Sequence, residues 1–305
     1  MISIDNNEYE LITILGPTAS GKTKLAVELS IKINGEIISA DSRQIYKGMD
    51  IGTGKDLHEY IKDDLSISYH LIDILDPIKN YSVYQFKQDF IKAYNNVIYK
   101  GNNPVLCGGT GLYIESVLLD YQLSSTKPNI ELREKLSGLS KNELLKYFSN
   151  LDKNLYNKWK KDTKQRIIRG IEIAKDENPI GTEQIKMPPI ESYIIGLSIE
   201  REKLRARIKE RLESRILDGM IQEVKKLVDN GLPIDRLNYF GLEYKYVGMF
   251  LNEKLSIEEL KYKLYIEISR FAKKQMTFFR RMEKRGLVIN WMEPNEVYEK
   301  IKSIN

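Results

Sequence analysis

The feature that most restricts this chain is the segment Gly16-Pro17-Thr18-Ala19-Ser20-Gly21-Lys22-Thr23, a glycine, four residues, then Gly-Lys-Thr. It stands between an apolar, β-prone run, Leu11 to Leu15, and a stretch from Lys22 to Ile33 in which Leu25, Ala26, Leu29 and Ile33 recur at helical spacing. Strand, glycine-bearing turn and helix start, in that order, make an anion cradle. Glycine lets the backbone curl so that several amide N–H groups converge, and the helix start adds the positive end of its dipole. Lys22 supplies a full positive charge for a phosphate, and the Thr23 hydroxyl a hard oxygen for a phosphate-linked magnesium ion. Such a string arises by chance about once in a hundred chains of this length.

The same alternation continues less regularly. Glu36 to Ala40, Pro104 to Cys107, Tyr193 to Ile199 and Leu287 to Trp291 read as short strands, and Tyr69 to Leu75 as a further one. Short apolar strands separated by helical segments predict a parallel sheet covered on both faces. The expected fold class is therefore α/β, a P-loop NTPase-like core with a parallel sheet plus helical insertions. Residues 1–120, 162–200 and 286–305 are assigned to that core. Residues 121–161, polar and rich in Lys, Asn and Leu, are assigned to a helical excursion. Residues 201–285 form a second, basic helical segment, with Leu204, Ile208, Leu212 and Ile216 as its apolar stripe and a break at Gly231-Leu232-Pro233.

Composition narrows the function classes. The 305 residues include one cysteine, Cys107, and two histidines, His58 and His70, so neither an intramolecular disulfide nor a Cys/His zinc cluster can be built. No apolar run is long enough to span a bilayer, and the expected location is a reducing, cytoplasmic one. Charge is unevenly placed. Residues 201–285 carry 21 Lys+Arg against 13 Asp+Glu, while the remainder carries 27 against 30. That asymmetry points to a polyanionic partner, although a solvated helical surface gives the same count.

Other residues belong beside the phosphate loop. Asp41, at the carboxyl end of the second strand and followed by Ser42, Arg43 and Gln44, falls where an open parallel sheet binds ligands. A carboxylate there supports magnesium through water, accepts a proton from a nucleophile, or caps a turn. Thr110, in Gly108-Gly109-Thr110-Gly111, follows another strand, and that strand lacks the terminal acid by which a motor ATPase orients water. Asp73 and Asp76 are the candidates to replace it. Arg207, Arg211 and Arg215 recur every four residues after Arg201 and Arg205, so some of them can fold over bound phosphates. Gln165-Arg166-Ile167-Ile168-Arg169 opens another helix. In Ala272 to Arg281, Lys273, Lys274, Gln275, Phe278 and Phe279 give the mixture of cation, amide and ring that suits RNA, while the rings equally suit a core.

Together, and in this order, these segments resemble the tRNA dimethylallyltransferase (tRNA isopentenyltransferase) family over nearly the whole chain, with Ile38 to Tyr46, Met49 to Thr53 and Leu71-Ile72-Asp73 adding to the likeness. The resemblance implies that the exocyclic amine of the adenine 3′ of the tRNA anticodon attacks dimethylallyl diphosphate and that diphosphate leaves. It implies that Gly16, Pro17, Thr18, Ala19, Ser20, Gly21, Lys22 and Thr23 bind the diphosphate, with Lys22 and Arg207 opposing its charge. Thr23 would hold Mg2+ and Asp41 would accept the amine proton. Asp41, Ser42, Arg43, Gln44, Thr110 and Gln165 to Arg169 would touch the tRNA anticodon stem-loop. Expected partners are thus tRNA and dimethylallyl diphosphate, with no membrane and a monomeric chain. The chain departs from the family at Lys273-Lys274-Gln275, usually Lys-Arg-Gln, and at Thr277-Phe278-Phe279, usually Thr-Trp-Phe. Competing readings are a small-molecule kinase, which shares the loop and the arginines, an adenylate prenyltransferase, and an RNA-binding protein without turnover.

Overall fold

A computed structural model of the chain describes residues 2–176 and 189–303. Six strands form one sheet: β1 (Leu11–Leu15), β2 (Gly35–Ser39), β3 (Tyr69–His70), β4 (Asn103–Gly108), β5 (Ser192–Leu197) and β6 (Asn290–Met292). Their spatial order is β6-β5-β1-β4-β2-β3, and every neighbouring pair is parallel. Period-two alternation divides the buried side chains of β1, with Leu11 and Leu15 packed into one apolar cluster and Ile12 and Ile14 into another. Helix α1 (Lys22–Ile33) covers the second face through Leu25, Ala26 and Leu29. Helices α2 (Val83–Tyr99) and α3 (Gly111–Leu118) belong to the first through Phe86, Phe90 and Ile114. The chain therefore leaves adjacent strands β1 and β4 toward opposite faces, which opens a crevice at their carboxyl ends.

The expected strand Tyr69 to Leu75 stops at His70 because Leu71 and Asp73 take left-handed backbone angles, φ 63° and 55°. Ile74 and Leu75 instead each donate an N–H to the Ile45 carbonyl at 2.9 Å. The run therefore ends as a brace beside the loop after β2.

Two compact units result, Met1–Asp120 with Met187–Asn305, and Tyr121–Lys186. The second contains α4 (Ile130–Ser137), α5 (Lys141–Leu151), α6 (Lys153–Trp159) and α7 (Lys164–Ala174). Sequence reading ended the excursion at 161 and gave 162–200 to the core, but α7 goes with the excursion. Its Ile167, Ile168 and Ile171 are buried with Leu136, Leu144 and Phe148. Of that assigned stretch, strand β5 joins the sheet and residues 177–188 lie outside the described residues, as do 1, 304 and 305.

Residues 201–285, read as a separate basic helical segment, belong to the same compact unit as the sheet. Helices α8 (Arg201–Leu217), α9 (Met220–Asp229), α10 (Leu242–Leu251) and α11 (Ile257–Glu283) share an apolar cluster with β1, β2 and β4 through Ile208, Val224, Tyr244 and Phe279. Helix α12 (Pro294–Ser303) packs on the opposite face through Val297 and Ile301. No helix among the described residues is long and apolar enough to cross a membrane.

Within the second unit the buried carboxylate of α7 ties that helix to α4 and its N-cap. Glu172, its side chain 1% exposed, accepts from Arg133 Nε and Nη2 at 2.7 and 2.8 Å, from Arg169 Nη1 at 3.1 Å and from the Asn129 N–H at 2.9 Å. Burial alone would raise its pKa, but the bonds from Arg133, Asn129 and Arg169 outweigh burial and hold it below the usual range. Glu172→Ala is expected to cost about 2–3 kcal/mol, less than a fully buried pair because both guanidiniums can turn to water. Hydrogen exchange should accelerate through 130–174 and not in β1 or β4. Because the folded pKa is depressed, the wild type keeps this contribution at neutral pH and loses it as pH falls through that value; the variant has none to lose.

Candidate active site

The crevice at the ends of β1 and β4 is a cavity of about 910 Å3, large enough for a substrate-sized ligand. Its floor is the loop between β1 and α1. Ala19 and Gly21 adopt φ 62° and 87°, and the Ser20 N–H turns back to the Pro17 carbonyl at 3.3 Å. Thr18 to Thr23 line the cavity; Gly16 and Pro17 do not. Lys22 Nζ donates to the Pro17 carbonyl at 3.2 Å, and burial lowers the pKa of its ammonium. The Ser20 hydroxyl is buried with no hydrogen-bond partner among the described residues, an orphan that an incoming oxygen would satisfy.

Helix α8 forms the facing wall. Spacing of four places Arg207, Arg211 and Arg215 on one face, and all three line the cavity. Arg207 Nη1 reaches the Ser20 carbonyl at 3.4 Å, Arg211 Nη2 donates to the Thr18 hydroxyl, and Arg215 Nη2 lies 3.4 Å from Asp56 Oδ2. Burial first, and then the neighbouring Arg215, brings the Arg211 pKa down to about 10, so it stays charged at neutral pH. Arg215 packs its guanidinium directly against Gly54. At Gly54, φ 64°, a Cβ would come within 1.7 Å of the Arg215 Nη2.

Two loops carry the remaining polar groups. After β2, Asp41 lines the cavity and its Oδ1 accepts the Arg43 N–H at 2.9 Å. Thr110 Oγ1 accepts the Ser42 N–H at 3.0 Å, stitching the ends of β2 and β4 together. Gln44 accepts from Ser39 Oγ at 3.1 Å and donates to the Gly54 carbonyl at 2.9 Å, and Arg43 stands over the Tyr239 ring at 5.1 Å. From α11, Gln275 bridges the two glycine loops: its Oε1 accepts the Thr18 N–H at 2.8 Å and its Nε2 donates to the Gly109 carbonyl at 2.9 Å.

This arrangement can bind a multiply charged phosphate ligand and hold a carboxylate beside it. For a metal, the donors are the Thr23 hydroxyl and Asp41. Among the described residues no three His, Cys, Asp or Glu groups are placed to hold an ion by themselves. Hard oxygens in small number suit magnesium, which keeps waters and takes its other ligands from substrate phosphates.

Comparison with known proteins agrees. The IPP transferase family model matches residues 44–282, and the isopentenyl transferase model matches residues 9–67. The chain belongs to the IPP transferase family. A tRNA dimethylallyltransferase 2 of Phocaeicola vulgatus is 49% identical over 94% of this chain and 93% of its own length, and a tRNA dimethylallyltransferase 1 of Porphyromonas gingivalis is 48% identical over 93% of each. The crystal structure of a tRNA isopentenylpyrophosphate transferase from Bacillus halodurans superposes with a TM-score of 0.68 at 31% identity, covering 97% of this chain and 95% of that one. A eukaryotic dimethylallyltransferase acting on tRNA shares the fold, with a TM-score of 0.77 at 21% identity and coverage of 96% and 76%. The core is thus the P-loop NTPase-like α/β core of IPP transferases.

Of the site residues expected from the IPP transferase pattern, Thr18 to Thr23, Asp41 to Gln44, Thr110 and Arg207 line one cavity. Gln165 to Arg169 belong to the second unit. Ile167 and Ile168 are buried in that unit's own core, so their side chains cannot be RNA contacts. Arg169 is held by Glu172 and the Thr126 carbonyl, and Gln165 and Arg166 are exposed. Asp73 and Asp76 are not substitutes for a hydrolytic acid: Asp73 pairs with buried Lys55, Asp76 accepts the Ile78 N–H, and neither lines the cavity. Phe279 is core, whereas Phe278 lines the cavity. Sequence reasoning missed Gln275 as a bridge, along with the cavity carboxyls Asp56, Glu59 and Glu243. Burial raises the pKa of Glu59 and of Glu243.

At Gly109 a Cβ would come within 2.4 Å of Gln275 Nε2. Gly109→Ala should therefore displace the amide, release the Thr18 N–H and cost about 1–3 kcal/mol; unchanged amide exchange at Thr18 would refute the bridge. Diphosphate affinity is expected to fall as pH rises through the lowered Lys22 pKa, since the anion prefers the charged ammonium. Lys22→Met should bind more weakly and lack that alkaline limb in a calorimetric titration.

Proposed function

We propose that the chain transfers a dimethylallyl group from dimethylallyl diphosphate to the exocyclic amine of the adenine 3′ of the tRNA anticodon. The observation that carries this reading is one cavity holding both an anion cradle and a carboxylate, with no acid at the end of β4, which closes in Gly108-Gly109-Thr110. A departing diphosphate needs the cradle, and a neutral amine nucleophile needs a base rather than a water-orienting acid.

In this reading the amine nitrogen forms the new bond to the allylic carbon while the carbon–oxygen bond to diphosphate breaks and its electron pair leaves with the diphosphate. Asp41 takes the amine proton. The Thr18–Thr23 amides, Lys22, Arg207 and Arg211 stabilise the charge that builds on the leaving group. Leu112, Ile268, Phe271 and Phe278 supply an apolar wall for the prenyl tail. Thr23, with Asp41 through water, would hold Mg2+, which when bound adds positive charge at the diphosphate. Arg43, Gln44, Thr110 and the exposed Gln165 and Arg166 are the proposed tRNA contacts. In this reading the enzyme works in the cytoplasm as a monomer.

Purified protein given unmodified tRNA and labelled dimethylallyl diphosphate is expected to place the label on that adenine. Label entering only from ATP would make it a kinase, and modification of AMP but not of an anticodon stem-loop would make it an adenylate prenyltransferase. Asp41→Asn should slow single-turnover transfer by about 10²–10⁴-fold while donor and tRNA affinities stay near wild type. Equal loss of binding and rate would demote Asp41 to a structural cap.

A further inference from the structure

The basic segment holds more positive charge than the cavity above uses. Helices α8 and α11 each show two polar faces. Arg207, Arg211 and Arg215 on α8, with Lys274 and Gln275 on α11, line the first cavity. Arg201 and Arg205 on α8, with Arg270, Lys273 and Arg280 on α11, line a separate cavity of about 590 Å3. The two differ in charge content. The first also contains Asp41, Asp56, Glu59, Glu210 and Glu243, whereas no described Asp or Glu lines the second.

Two of the five cations have partners: Arg205 donates to Tyr265 Oη at 3.0 Å and Arg270 pairs with Glu267. Arg201, Lys273 and Arg280 are in no ion pair among the described residues, and the Ser269 hydroxyl on the same wall is buried without a partner. A solvated basic surface spreads its charges apart. Cations converging on one concavity without a carboxylate repel each other, and an anion relieves that repulsion. Arginine forks and a spare hydroxyl match phosphate oxygens in geometry.

We propose that this cavity is a second phosphate-binding site, taking a phosphate or diphosphate group either free in solution or within an RNA backbone. Pro17 forms part of its wall, while the Pro17 carbonyl accepts Lys22 Nζ. An occupant therefore sits against the back of the phosphate loop, and the two sites share that loop as a partition.

Equilibrium dialysis of the full-length chain with radiolabelled inorganic diphosphate tests this. The wild type is expected to bind two equivalents. Arg201→Gln/Arg280→Gln should weaken one by at least tenfold and keep the other, and that retained equivalent also reports correct folding. Lys22→Met should weaken the equivalent that the double variant keeps. Lys225→Gln, an exposed cation outside both cavities, should leave both. A single equivalent in the wild type, two unchanged equivalents in the double variant, or an equal loss in Lys225→Gln would overturn the proposal. Adding a tRNA anticodon stem-loop identifies the source: displacement of the Arg201/Arg280 equivalent assigns it to a backbone phosphate, and coexistence assigns it to the free anion.

Discussion

Lys22, Arg207, Arg211 and Arg215 crowd one cavity, and their mutual repulsion is the constraint to which the surrounding structure answers. Charges so placed would move apart unless their backbones were fixed. Lys22 is fixed by opening α1 behind an all-buried strand, and the arginines by α8, whose Ile208 and Leu212 are anchored in the same apolar cluster as Leu11 and Leu15. The sheet core thus holds cations at a separation they would not choose, and the repulsion that Asp56, Glu59 and Glu243 only partly offset would become affinity for a diphosphate. Such a preorganised site does little reorganising as charge develops on a leaving group, and this is where electrostatic catalysis has its force.

Gln275 shows how the cradle is kept open rather than collapsed. The phosphate loop must offer unpaired amides to a ligand, yet a buried N–H without a partner is costly. One side-chain amide resolves part of the conflict by accepting the Thr18 N–H and donating to the Gly109 carbonyl. It binds the loops after β1 and β4 to each other and to α11. The helix that interleaves basic and aromatic residues is therefore part of the proposed diphosphate site as well as a nucleic-acid candidate, and a Cβ at residue 109 would displace that amide.

Where local chemistry decides, the sequence was readable. Gly16 to Thr23 announces its strand, turn and helix within a few residues, and Asp41 and Thr110 follow because strand ends in a parallel sheet converge. The four-residue rhythm of Arg207, Arg211 and Arg215 sufficed to place them on one face. What was hidden depends on contacts distant in the chain. Gln275 lies 257 residues from Thr18, and nothing near either residue forecasts their meeting. Glu59 and Glu243 enter the cavity through a 3-10 turn and the start of α10, whose positions are set by packing. The allegiance of α7 turned on which apolar surface was nearest, because its Ile167, Ile168 and Ile171 would suit a sheet face as well as the helices of the second unit. Tyr69 to Leu75 looked like a strand until left-handed angles at Leu71 and Asp73 diverted it.

The cavity mixes charges of both signs, and Asp41 is among its lining carboxylates. The cations face Asp56, Glu59 and Glu243 across it, and burial makes two of these carboxyls weaker acids than usual. Asp41 is felt electrostatically by Lys22 on one side and by Glu243 on the other. A base for the transfer must satisfy opposing demands. It must lie close enough to the leaving group's cradle to serve the same reacting carbon, yet not be neutralised by a permanent ion pair with the lysine. In its proposed role Asp41 meets them by committing an oxygen to the Arg43 backbone N–H, a neutral donor that orients the carboxylate, while Lys22 is turned to the Pro17 carbonyl. Each charged partner is thus held by a backbone group, and in the proposed reaction diphosphate rather than Asp41 completes the lysine's coordination.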